Sequence, residues 1–162
     1  MTGYGWACRV EVSYNVYGER GSIDILAWHA PTRTLLVVEV KTEIASVEET
    51  LRKHDAKVRL APRLAAAELG WQALCTARLL VLPSHSTARR RVDRHRNVFA
   101  ITYPLGGADV RSWLAQPSLV GSASETSPRG GLLFIDPGRN EGAAGTLSRR
   151  RIRTRAGTKR VR

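Results

Sequence analysis

The run LLVVEVK, Leu35 to Lys41, constrains the fold more than any other segment. It is β-branched and almost wholly apolar, so as a strand it presents apolar side chains to both faces of its sheet. A strand of that kind sits centrally, with a further layer on each side. The neighbouring segments fit such a sheet. From Trp6 to Val16 the even positions are Trp6, Cys8, Val10, Val12, Tyr14 and Val16, and mostly polar residues alternate with them, which is the period of a half-buried strand. GERG (Gly18 to Gly21) reads as a turn, and SIDILAW (Ser22 to Trp28) as a second strand leading through the HAPTRT loop into the third.

Helical signals follow. Ser46 with Glu49 three residues on matches a capping box and predicts a helix running to about Leu60, with a kink or restart at Pro62 and a stop at Gly70. ARLLVLP (Ala77 to Pro83) predicts a fourth strand, and residues 86 to 99, capped by Ser86 or Thr87, a basic helix. Beyond Pro104 the pattern predicts a short helix near Val110 to Leu114 and a last strand at Leu132 to Asp136. The expected organisation is an α/β core over residues 1–103, an extension over 104–137, and a disordered Arg-rich tail over 138–162. A sheet opening at residue 6 leaves one of its faces without a preceding helix to cover it.

Charge is unevenly placed. The chain has a net charge of +12, but residues 139–162 hold nine basic residues and one acid, leaving the preceding part only weakly basic. Polyanions are the favoured partners. Cys8 and Cys75 are the only cysteines and have no metal-ligand spacing around them, so a disulfide scaffold and a zinc site are both unsupported. No apolar run approaches a membrane span, and no basic segment followed by an apolar stretch opens the chain, which predicts a cytoplasmic protein without a membrane partner.

Two acids stand out on the strands. Asp24 lies in the second strand, and Glu39 and Lys41 end the third, where residues i and i+2 share a face. Antiparallel pairing across the 29–34 loop brings Asp24 alongside Glu39. Two carboxylates suit a hard divalent ion such as Mg²⁺, with Mn²⁺ as a substitute, and an adjacent lysine suits a phosphate-directed reaction. A second acid-x-Lys triplet, Asp55-Ala56-Lys57, lies on the expected helix, where i and i+2 diverge.

Asp24, fourteen intervening residues, then Glu39-Val40-Lys41, set in strand, turn, strand, resembles the PD-(D/E)xK nuclease superfamily. YNVYGERGSIDILAW with LLVVEVKTEIASVEETLRKHDAKVRLAPRLAAAELGW is similar to actinobacterial members often found as C-terminal domains of helix-turn-helix regulators, a likeness covering roughly residues 9 to 100. The resemblance implies a restriction-endonuclease-like three-layer core, a central mixed sheet flanked by helices. It implies Asp24 and Glu39 as metal ligands, the Val40 carbonyl as another, and Lys41 as the catalytic lysine. The position of the motif's proline is Ile23, and the core's usual first helix has no counterpart before Trp6, which reads as truncation.

The function expected is Mg²⁺-dependent hydrolysis of DNA phosphodiesters; the alternative is a non-catalytic nucleic-acid-binding or regulatory module on the same fold. Glu11 and Glu19 are further candidate site acids. Lys57, Arg59, Arg89, Arg90 and Arg91 are candidate contacts to nucleic-acid phosphates, His54 reads as a surface histidine, Trp71 and Trp113 as packing residues, and a homodimer stays open.

Overall fold

The computed structural model describes residues 4–16, 18–117 and 129–136. Strands β1 (Trp6–Val16), β2 (Glu19–His29) and β3 (Thr34–Val40) form an antiparallel meander. Helix α1 (Val47–Leu69) crosses over to β4 (Cys75–Pro83), which lies parallel to β3. Helices α2 (Ser86–Arg94), α3 (Arg96–Thr102) and α4 (Gly107–Ala115) then lead to β5 (Arg129–Ile135), parallel to β4. The result is an α/β fold whose mixed sheet has the order β1-β2-β3-β4-β5.

Burial follows the apolar pattern of β3, buried along its length up to Val40. Leu35 and Val37 pack against Val58, Ala61, Leu64 and Ala65 of α1. Leu36 and Val38 face the opposite layer with Val110, Trp113 and Leu114 of α4. The face expected to lack a helix is therefore covered by α4, and the Trp6 indole donates to the Leu114 carbonyl at 2.9 Å. Within 104–137, expected as an extension, the described residues supply this covering helix and a strand of the same sheet.

Several expected boundaries move. Gly18, at φ 82°, makes the first turn, but β2 already begins at Glu19. Gly21 is a strand residue opposite Tyr14, whose ring lies where a Cβ would project. Helix α1 starts as expected, with Ser46 Oγ accepting from the Glu49 N–H at 3.1 Å, and ends at Gly70, φ 68°. It runs unbroken through Pro62, because its buried stripe continues from Val58 to Ala65 on the core and outweighs the missing backbone bond. The basic helix expected over 86–99 is two helices: His85, not Ser86 or Thr87, caps α2, and a break at His95 turns Phe99 and Tyr103 into the core. The expected disordered tail lies outside the described residues. Among the described residues, no helix is long and apolar enough to cross a membrane.

Candidate active site

The β2–β3 register pairs Ile25 with Val38, so the next step along both strands sets Asp24 beside Glu39. Regular pairing stops there, and the Asp24 side chain takes over: its Oδ2 accepts from the Val40 N–H at 2.7 Å. Glu39 shares the face of Val37, toward α1, and is only 1% exposed. A carboxylate so buried needs partners on both oxygens. Lys41 Nζ lies 2.9 Å from Oε1, and Lys57 Nζ bonds to Oε2. The same Lys57 ammonium lies 3.5 Å from Asp24 Oδ1.

Asp24, Glu39, Lys41 and Lys57 therefore form an alternating charge cluster, with Lys57 between the two carboxylates. Burial alone would push the Glu39 carboxyl up, but hydrogen bonds from Lys57 and Lys41 outweigh it and hold Glu39 below the usual carboxylate value. Conversely, the hydrogen bond to Glu39 raises Lys41 above the ordinary lysine value, against the opposing effect of its own partial burial. Glu39 is thus an anion and Lys41 an ammonium at neutral pH.

The cluster opens on a cleft of about 1400 Å³ between α1 and the sheet. Among the described residues its lining carries seven cations, including Lys41, Lys57, Arg59 and Arg78, against three acids, Glu19, Glu39 and Asp55. Such a surface suits a polyanion. Arg59 pairs with Glu19 at 2.8 Å on the exposed wall, and Asp55 turns the other way along α1 to Arg78 of β4. Glu11 is exposed in a left-handed conformation, φ 50°, at the step of β1 facing Asp24; among the described residues no hydrogen bond or ion pair ties it to the cluster.

The sequence places His54 of α1 wrongly. His54 is fully buried, not at the surface: its Nδ1 lies 2.8 Å from the Tyr103 hydroxyl and its Nε2 3.2 Å from the Val37 carbonyl. Lys57, a candidate phosphate contact, is 9% exposed, inside the carboxylate cluster and at the wall of the cleft. A signal for both exists. Val47, Thr50, His54, Lys57, Val58, Ala61, Leu64 and Ala65 recur at three- and four-residue steps, so His54 and Lys57 belong to the buried stripe of the helix.

Of the α2 arginines, Arg89 lies over the Phe134 ring at 4.5 Å, Arg90 reaches Ser86 Oγ, and Arg91 donates to the Ala45 carbonyl. Arg90, Arg91 and Arg94 line a second cleft, about 370 Å³, against Glu43 to Ala45, the loop leading away from Lys41. Trp71 stacks on Trp28 at 6.1 Å and Trp113 packs against Trp6.

Among the described residues no three His, Cys, Asp or Glu side chains converge on one point. A cation here would rely on two carboxylates, the Val40 carbonyl and water, a donor set suited to Mg²⁺, which prefers oxygen and keeps several waters. The carboxylates fit that demand, since Asp24 Oδ1 and Glu39 Oε2 already reach one positive centre, the Lys57 ammonium. No protein-family model, no curated protein and no solved structure matches the chain.

Proposed function

We propose that the chain is a divalent-cation-dependent phosphodiesterase of the PD-(D/E)xK type, acting on DNA from a restriction-endonuclease-like core. One observation carries this reading: the Asp24 and Glu39 carboxylates meet on a single positive centre, with Lys41 on the remaining oxygen of Glu39. Asp24, Glu39 and the Val40 carbonyl would hold Mg²⁺ or Mn²⁺. Such an ion supplies charge neutralisation at phosphate and a more acidic bound water.

The chain's own residues do the rest. Lys41, whose ammonium bonds Glu39 Oε1, would serve as a hydrogen-bond donor and positive charge toward the phosphoryl oxygens. The cationic lining of the cleft draws the nucleic-acid backbone in, and the Val40 N–H fixes the Asp24 carboxylate in its orientation. Cleavage of plasmid and branched DNA with and without Mg²⁺ or Mn²⁺ tests the assignment. Lys41→Ala should lower the metal-dependent rate about 100-fold or more; undiminished cleavage by that variant refutes it.

One observation favours a second reading. Lys57 balances the cluster without any metal, which suits a non-catalytic nucleic-acid-binding module on the same fold. Salt-sensitive DNA binding with no cleavage under either metal would select that reading.

A further inference from the structure

We infer that Lys57 is a built-in counter-ion that holds the cation position between Asp24 and Glu39, and that a divalent ion must displace it into the cleft to bind. The inference rests on reading the two carboxylates as a cation site. Lys57 Nζ bonds to Glu39 Oε2 and lies 3.5 Å from Asp24 Oδ1, so it occupies the space an ion shared by those oxygens would need. Oxygen ligands of Mg²⁺ sit at about 2.0–2.1 Å, which would leave a dication and an ammonium only a few ångströms apart with no room for water between them. One of the two must leave.

The reason for a lysine here lies in Glu39. At 1% exposure, its carboxylate would be left, among the described residues, with only Lys41 as ion-pair partner if neither Lys57 nor a metal were present. A buried charge stripped of a partner is strongly destabilising. Lys57 supplies the second partner before the ion arrives. It already lines the cleft, and its four-carbon stem lets the ammonium move outward while its backbone stays in α1. There it would join Lys53 and Arg59 in binding phosphate. Cation and polyanion binding are therefore coupled: each ion bound frees one lysine for the nucleic acid, and by reciprocity nucleic acid tightens the ion.

Calorimetric titration with Mn²⁺ alone, on the wild-type chain, Lys57→Met and Lys57→Gln, tests the displacement without any catalytic readout. Removing the competing ammonium should tighten Mn²⁺ binding about tenfold or more in both variants. A second measurement uses wild-type protein: acylation of lysines, resolved by mass spectrometry, with and without saturating Mn²⁺. Lys57 should become more reactive with the metal, while Lys53, exposed and paired with Glu49, stays unchanged. Unchanged or weaker binding in both variants, or Lys57 acylation that does not rise, overturns the inference and leaves the cation site standing. If the variants fail to fold, the acylation result alone decides. No Mn²⁺ binding by any form overturns both the inference and the reading beneath it. Tighter binding in the variants with no cleavage by wild type upholds the inference and removes only the hydrolytic reading.

Discussion

Protonating His54 would place a charge in the core between α1 and β3, and the structure sets the size and pH window of the penalty. The ring is fully buried, with Nε2 donating to the Val37 carbonyl, and in the neutral ring Nδ1 accepts from the Tyr103 hydroxyl. Burial lowers His54 from 6.5 to about 4. As pH falls, the unfolded chain therefore takes up its proton before the folded one does, so the stabilisation is complete above about pH 6.5 and lost toward pH 4. The loss from this group amounts to about 2 kcal/mol by about pH 5 and about 3 kcal/mol by about pH 4. Glu39, Glu48 and Glu49 also sit below their usual values, but their contributions are lost only as pH falls below about 4.5, so the interval above that isolates the histidine. Urea unfolding of wild type and His54→Gln from about pH 7.5 to about pH 5 measures it, the stability difference narrowing by about 2 kcal/mol toward acid. Parallel curves for the two proteins would show that His54 is not buried neutral, and the account of how α1 packs on β3 would fail with it.

Further predictions concern the packing of β5 and the arginines of α2. A Cβ on Gly130 would overlap the Thr102 carbonyl, a backbone group that cannot step aside, so Gly130→Ala should destabilise the fold by about 3 kcal/mol in chemical denaturation. Gly106→Ala, with open space around it, should stay within about 1 kcal/mol. Arg90 and Arg94 flank the loop that leads from Lys41, so the double alanine variant should weaken DNA binding uniformly across sequences. It should also flatten the dependence of log affinity on log salt by about 1 for each phosphate that the variant no longer neutralises, leaving Mn²⁺ binding unchanged; an unaltered salt slope removes these arginines from the interface.

Most strands are legible in the sequence because their signal is local. The apolar run of Leu35 to Val40 shows two-sided burial directly, and the Ser46–Glu49 cap and Gly70 stop mark both ends of α1. What stays hidden depends on distant segments. Nothing near Gly21 tells a turn glycine from one that seats the Tyr14 ring, since the distinction arises only when β1 folds over β2. The covering of the second sheet face by α4 is likewise invisible locally: the helix arrives from about a hundred residues beyond Trp6, and the indole bond to Leu114 closes that gap. The break at His95 has the same origin, because the run of arginines continues across it while the core requires Phe99 and Tyr103 to turn inward.

The carboxylates of the cluster follow from strand period and register, which place Asp24 beside Glu39 with no knowledge of the helix. Lys57 does not, because it reaches them across the layer, and its position depends on how α1 docks on β3. Composition nevertheless carries a trace of it. Arginine outnumbers lysine 22 to 4 in this chain, yet three of the four lysines, Lys41, Lys53 and Lys57, line the same cleft. A guanidinium is planar, bulky and forked, whereas an ammonium is a compact point charge. Lys57 reaches both Asp24 and Glu39 as such a point charge. Lys57 thus stands where a compact point charge meets two carboxylates at once, in a chain that elsewhere prefers arginine.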